Sequence, residues 1–409
     1  MLNLGIRVIR FCLIASMLCL FCACQTSKPT NQPFSHEVYI WQHRWTPALK
    51  AAITTATPLI SAWHVLGAEL SQKGRFNPVR IDTEALKQSG KPVILVIRIN
   101  GQLSNWTNET ITTTVLSMAN AWREAGLDVT GIEIDYDCAT RQLASYTQAL
   151  ILLKQALVKQ QLQLHITVLP TWLPSAALPT LLAQTDQAVL QVHSVSNPRK
   201  GLFDAKLAAT WLTQFSELSP VKFRVALPTY GSRVSWNEQE NIIGVESEIS
   251  LGLLEADTQE LNVKPEAVAA LLHNLQQKPP SNFLGTVWFR LPTADDQRAW
   301  SLSTWQAVVT GQPLYSKFAA SSTSSDNSGA YNILLSNEGD IDANAPNEIH
   351  VSTHQSCHQA DAINFYRLAH SANQISFQLD HAFTLRAHQQ LVIGWVRCPT
   401  AKPQVSITP

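Results

Sequence analysis

From Glu37 to about Pro313, short apolar runs alternate with longer stretches whose apolar residues recur every three or four positions. Repeated βα units around a parallel sheet produce this alternation. Eight runs read as strands: Val38–Trp41, Ala62–Leu66, Val93–Ile99, Gly131–Asp135, Leu162–Leu169, Ala188–Val192, Phe223–Leu227 and Gly285–Phe289. Between them Ile111, Val115, Met118 and Trp122, then Leu143, Tyr146, Leu150, Leu153 and Leu157, mark helix faces that pack on the sheet. Eight units over about 280 residues fit an α/β chain folded as a (β/α)8 TIM-type barrel, whose usual size is about 250 residues. A doubly wound open sheet shares the alternation and stays open as the alternative.

The pattern changes after Leu314. Residues 316–330 are rich in Ser, Asp, Asn and Gly, cannot bury a core and read as a linker after a barrel over 37–315. From Tyr331 to Pro409, Tyr331–Ser336, Glu348–Ser352, Ala362–Leu368, Gln374–Leu379 and Leu391–Arg397 alternate or run apolar between turn residues, which predicts a small all-β sandwich domain. Cys357 and Cys398 both fall in this segment beside strands, so they are expected to pair and staple it. Cys138 is left as a buried thiol.

Composition narrows the class. The 409 residues hold 45% hydrophobic and 15% charged residues, which suits globular folding, and thirty basic residues balance thirty acidic ones. That balance argues against a nucleic-acid partner. Twelve tryptophans supply rings that fill cores or stack on sugars.

The first segment sets Arg7 and Arg10 ahead of an apolar run, Phe11 to Phe21, which is too short for the roughly 20 residues a spanning helix needs. It reads as a signal peptide over 1–23 followed by a tether over 24–36. Leu20-Phe21-Cys22-Ala23-Cys24 resembles a bacterial lipobox, which implies a lipid on Cys24 and a membrane partner through that anchor; an ordinary signal peptide with chance cysteines is the alternative. Each buried methylene of such a lipid contributes about 0.8 kcal/mol, so several acyl chains hold firmly. Gln25 after the cysteine implies, by the same resemblance, the periplasmic face of an outer membrane.

The chemistry concentrates in Thr130-Gly131-Ile132-Glu133-Ile134-Asp135-Tyr136-Asp137-Cys138. Period two puts all three acids on one face of the fourth strand, rising about 6.6 Å per two residues toward the C-terminal rim. Clustered acids raise at least one pKa, and a raised pKa suits a general acid.

This run resembles the fourth-strand motif Asp-Gly-x-Asp-x-Asp-x-Glu of family 18 glycoside hydrolases, the chitinase group. Leu227-Pro228-Thr229-Tyr230-Gly231-Ser232-Arg233 and Gly285-Thr286-Val287-Trp288-Phe289 are similar to that group's seventh and eighth strands. The resemblance implies Asp137 as the acid that protonates the leaving oxygen and Asp135 as the residue that orients the substrate's acetamido group, with Tyr230 and Trp288 placing the sugar. That scheme is substrate-assisted and retaining, and it needs no metal or cofactor. Two departures stand out: aspartate replaces the family's glutamate at 137, and Gln191-Val192-His193-Ser194 replaces its sixth-strand Met-x-Tyr-Asp. With Tyr39-Ile40-Trp41 and Trp288-Phe289-Arg290-Leu291-Pro292-Thr293-Ala294-Asp295-Asp296 added, the chain is identified as a member of an uncharacterised bacterial family, domain of unknown function 3142.

The candidate site is therefore Asp135 and Asp137, with Trp41, Glu133, His193, Tyr230, Arg233, Trp288 and Arg290 as glycan-binding residues. Each has a structural reading beside it. Glu133 is expected to pair with an arginine such as Arg98 or Arg290. Trp41 and Trp288 fit a core equally well, Tyr230 and Arg233 could serve a tight loop at Gly231, and His193 could be a satisfied buried histidine. Asp295, Asp296 and Arg298 read as the start of a helix. His350, His354 and His358 fall in a non-helical segment beside Cys357, which argues against a metal site. The expected partner is an N-acetylated glycan, bound or hydrolysed; the alternatives are a non-catalytic glycan-binding lipoprotein and an envelope-assembly lipoprotein, whose protein partners the sequence does not identify.

Overall fold

The parallel strands form where β-branched and aliphatic residues run together, as in Val93-Ile94-Leu95-Val96-Ile97, and both faces of such runs are covered. We describe the fold from a computed structural model, which covers residues 34–103, 108–193, 198–246, 257–325, 329–352, 357, 359–371, 374–398 and 402–407. The segment expected to be a signal peptide and tether, with Cys24, and His354 and His358, lie outside these described residues. Eight strands follow in order: β1 Ser35–Ile40, β2 Trp63–Leu70, β3 Val93–Ile99, β4 Val129–Tyr136, β5 Gln163–Val168, β6 Gln187–Gln191, β7 Lys222–Pro228 and β8 Phe283–Phe289. Each pairs in parallel with the next, and β1 pairs with both β8 and β2. The sheet thus closes into a barrel, and the open doubly wound alternative is excluded.

Helices between the strands show the expected stripes. Leu143–Val158 buries Leu143, Tyr146, Leu150, Leu153 and Leu157. Their ends carry local signals: the Asp82 side chain caps Thr83–Ser89, which stops at left-handed Gly90, and Asp204 caps Ala205–Leu218. The helix after β8 is Leu302–Thr310, capped by Ser301 and not by Asp295 or Asp296 as the sequence implied. Asp296 instead turns back to accept from the backbone N–H groups of Arg298 and Ala299 and to pair with Arg290.

Between β7 and β8 the chain makes an excursion of three antiparallel strands, Ser232–Trp236, Ile242–Glu246 and Asp257–Leu261, at the C-terminal end of the barrel. Nothing in the apolar periodicity announces it, since Ile242–Glu246 and Asp257–Leu261 are mostly exposed.

The longer C-terminal strands are β9 Phe318–Ser324, β10 Ala330–Asn337, β11 Glu348–Ser352, β12 Gln359–Ala362, β13 Tyr366–Ser371, β14 Gln374–Leu379, β15 Gln390–Arg397 and β16 Gln404–Ile407. They make two antiparallel sheets, β9-β10-β15-β12 and β13-β14-β11-β16, which enclose a shared core that includes Ile333, Leu335, Val351, Phe377 and Ile393. The Ser-rich stretch expected as a linker is the edge strand β9, because an edge strand needs backbone pairing with β10 more than apolar side chains. Ala362–Leu368, expected as one strand, breaks into β12 and β13 at Asn364 and Phe365, both left-handed. The Cys357–Cys398 disulfide is present, with an S–S distance of 2.10 Å, and Cys138 is free and buried. Ser35–Pro409 is one compact unit. Asp342 accepts from the N–H of Ser301 at 2.6 Å and of Ala387 at 2.9 Å, fastening the sandwich to the loop after β8.

Candidate active site

The three acids of β4 occupy successive levels of the barrel interior and meet different surroundings. Glu133 is fully buried at 0% exposure. Its Oε1 accepts from the Tyr39 hydroxyl at 2.7 Å, and its Oε2 lies 2.9 Å from His64 Nδ1. The other His64 nitrogen lies 2.8 Å from Glu37, which is held in turn by Arg224 at 2.7 Å. Burial alone would depress the His64 pKa, but Glu133 and Glu37 outweigh it and hold the ring at about 9. The imidazolium therefore balances two buried carboxylates. His165, pushed down to about 4 by burial and by the charge on His64, stays neutral. The expected arginine partner of Glu133 is thus a histidine, because closure of the barrel brings β2 rather than Arg98 or Arg290 against it. So deep a residue has no surface to offer a ligand.

One level higher, Asp135 is 4% exposed. Its Oδ1 accepts from Thr167 Oγ1 at 2.8 Å and from Gln191 Nε2 at 3.1 Å, both neutral donors. Burial and the neighbouring charge of Asp137 push its pKa up to about 7, against opposing effects of Arg98 and Thr167. Asp137 follows the strand end at the rim and is itself exposed. Loss of hydration raises its pKa too, again opposed by Arg98.

Aromatic side chains pack beside this pair, Phe289 and Tyr230 partly exposed and Trp41 and His193 buried behind them. Phe289 stacks on His193 with centroids 4.6 Å apart and planes 5° apart, and lies edge-on to Trp41 at 5.1 Å and Tyr230 at 5.7 Å. The Tyr230 hydroxyl donates to the His193 carbonyl at 2.9 Å. Burial lowers the His193 pKa to about 4 and raises that of Tyr230 to about 12. The Arg98 guanidinium sits 5.7 Å from the Trp41 ring centroid.

Asp135, Asp137, Trp41, His193 and Tyr230 are thus brought to one end of the barrel. Trp288 is not. It is 0% exposed on the outer face of β8, 6.3 Å from Trp300 and 6.4 Å from Trp305. Strand parity decides this, since Val287 and Phe289 take the lumen positions and Phe289 stands where a sugar-facing ring was expected. Arg233 lies in the excursion, 3.4 Å from Thr258 and 3.8 Å from Glu260. Arg290 is buried against Asp296, near enough to Tyr230 to act on its pKa. Sequence reasoning missed Thr167, Gln191 and Phe289 as site residues. The signal was the same alternation: Thr167 and Gln191 are polar residues at lumen positions of β5 and β6.

Residues 89–294, half of the chain, match the family model described as Domain of unknown function (DUF3142). The chain belongs to this family. Residues 320–399 match a second, Domain of unknown function (DUF8456). No curated protein matches the sequence. Among solved structures, the family member is similar to the spore cortex-lytic enzyme SleL of Bacillus megaterium QM B1551, at 11% identity and a TM-score of 0.51, over 68% of this chain and 74% of that one. It is also similar to a chitinase from Chromobacterium violaceum ATCC 12472, at 14% identity and a TM-score of 0.48, over 68% of this chain and 98% of that one. At such identities the likeness to SleL is one of barrel fold.

Proposed function

We propose that this chain is an exported envelope protein, anchored by a lipid on Cys24 and facing the periplasm from the outer membrane, whose barrel mouth binds and hydrolyses an N-acetylated glycan. The observation that carries the catalytic reading is the Asp135–Asp137 pair, two interacting acids with raised pKa at an aromatic-lined barrel end. Such a pair retains a proton near neutral pH, as a general acid requires. Trp41 and Phe289 take the apolar face of a sugar ring, and Tyr230 borders it. Asp135 orients the acetamido group so that its carbonyl oxygen bonds to the anomeric carbon as the glycosidic bond breaks. Asp137 gives its proton to the leaving oxygen, and water then opens the cyclic intermediate, returning a proton to Asp137.

The test incubates the detergent-solubilised chain with chitooligosaccharides and peptidoglycan and compares Asp137→Asn. New reducing ends should appear and fall at least a hundredfold in the variant; turnover that ignores the change sinks this mechanism. Anchoring is checked separately by labelled fatty-acid incorporation, which Cys24→Ala should abolish.

A second reading, glycan binding without turnover, has its own supporting observations. Aspartate at 137 is one methylene shorter than the glutamate of the chitinase motif, and misplacement near 1 Å can cost on the order of a hundredfold. His193 stands where that group has its sixth-strand tyrosine, and Gln191 where it has methionine. This reading predicts saturable binding that Trp41→Ala and Phe289→Ala weaken, with no product formed.

A further inference from the structure

Arg98 occupies the lumen side of β3, directly opposite Asp135 in the β3–β4 register. An arginine beside two aspartates ordinarily lies along them as a forked ion pair. Here it does not. Among the described residues its guanidinium makes no ion pair and no hydrogen bond; it is exposed at the mouth and held over Trp41 at 5.7 Å from the ring centroid. Asp135 is served instead by Thr167 and Gln191. A cation over an indole face is attracted to the ring without using its N–H groups, so five donors in a planar fork remain open to a ligand.

The surroundings favour the same sign of ligand. The connections leaving the C-terminal ends of β1 and β2 carry Arg44, Lys73, Arg75 and Arg80, all exposed and none ion-paired among the described residues. Of the acids nearby, Asp82 is bound by Lys50, and Glu69, near the end of β2, lies 3.7 Å from His43. In a chain with equal numbers of acidic and basic residues, this side of the mouth has a local excess of positive charge that attracts anions.

We propose that Arg98 reads a carboxylate on the bound glycan, making the ligand an acidic N-acetylated polysaccharide rather than a neutral one. This rests on the glycan-binding reading above. A planar carboxylate matches the guanidinium fork with two parallel hydrogen bonds. A phosphate dianion would meet twice the repulsion from Asp135 and Asp137. The carboxylate can belong to a lactyl ether, as in peptidoglycan, or to a uronic acid, and it sits on a sugar that reaches Trp41 while its neighbour lies over the acid pair.

The experiment measures dissociation constants by calorimetry for the full chain with three tetrasaccharides: neutral chitotetraose, an unsubstituted peptidoglycan tetrasaccharide, and an N-acetylated uronate tetrasaccharide from hyaluronan. The wild type should bind one acidic tetrasaccharide at least tenfold more tightly than chitotetraose, and the identity of that one names the source of the carboxylate. The preference should shrink as salt rises from 50 to 300 mM, collapse to about one in Arg98→Gln, and survive in part in Arg98→Lys, which keeps the charge but not the fork. A wild-type ratio of one, or a tenfold ratio that persists in Arg98→Gln, overturns the role of Arg98 while chitotetraose binding keeps the glycan reading intact. Failure of all three sugars to bind the wild type overturns both.

Discussion

Glu133 and Asp135 stand two residues apart on one face of one strand, yet they belong to different kinds of environment. The lower interior is a closed electrostatic circuit: Glu37 and Glu133 share His64, and Arg224 and Tyr39 complete their bonding. The mouth is left open. Asp135 has only neutral donors, the Asp137 carboxylate has no hydrogen-bond or ion-pair partner among the described residues, and Arg98 leans on Trp41. The same carboxylate group serves the scaffold where its charge is matched and is left for chemistry where it is not. Buried charge is tolerated in proteins when paired and hydrogen-bonded, and an imperfect match shifts a pKa instead.

The hardest blow to this contrast is His64→Leu. Removing the cation leaves buried Glu133 with only the Tyr39 hydroxyl, while Glu37 keeps Arg224, which should destabilise the fold by about 3–5 kcal/mol, read from denaturant titration. A loss below about 1 kcal/mol would mean that the lower circuit is not closed. The wild type should also show the circuit through pH. The folded pKa of His64 lies at about 9, above its ordinary value near 6.5, so its contribution is complete below about 6.5 and is lost as pH rises through 9. Denaturant midpoints should fall across that window in the wild type and stay flatter in the variant.

The two faces of β8 offer a comparison of similar size. Trp288→Ala should cost about 3–5 kcal/mol, because it empties a fully buried site between the strand and Trp300 and Trp305. Phe289→Ala removes a partly exposed ring and should cost less stability while weakening glycan binding tenfold or more. If Trp288→Ala abolished binding in a chain of unchanged stability, Trp288 would return to the site.

That pair also marks where the sequence was legible. All eight barrel strands were visible, because a strand covered on both faces is a continuous apolar run, as in Val93–Ile99. The helix stripes were equally plain. The acid ladder was legible as one face of the fourth strand, with Asp135 and Asp137 toward its C-terminal end. What stayed hidden depends on closure or on parity. Glu37, His64 and Arg224 lie far apart in the chain and meet only when β1 pairs with both β2 and β8. Trp288 was taken for a cleft residue because motif resemblance locates a segment without saying which of two adjacent residues faces inward. The β9 edge was misread because an edge strand is held largely by its backbone. The excursion after β7 has too little apolar surface to show.

The smallest expected effect is the most discriminating. In the folded chain Asp135 titrates at about 7, whereas an unfolded aspartate titrates near 3.9. The folded state therefore holds an extra proton between these values, and stability declines as pH rises from about 4 to 7. Asp135→Asn removes the charge while leaving an oxygen for Thr167 and Gln191 and gaining an amide that can donate toward Asp137. The variant should match the wild type at pH 4 and exceed it by about 1–3 kcal/mol at pH 8, the range for a buried polar group relieved of incomplete compensation. Turnover, where it is found, should fall in the same variant, and in the wild type it should decline as pH rises through about 7 and the pair gives up its proton. Glu133→Gln should do the reverse and destabilise the chain at pH 7, because it breaks a charge that His64 already matches. If both substitutions moved stability in the same direction, the acids of β4 would form one uniform ladder and the division between scaffold and mouth would fail.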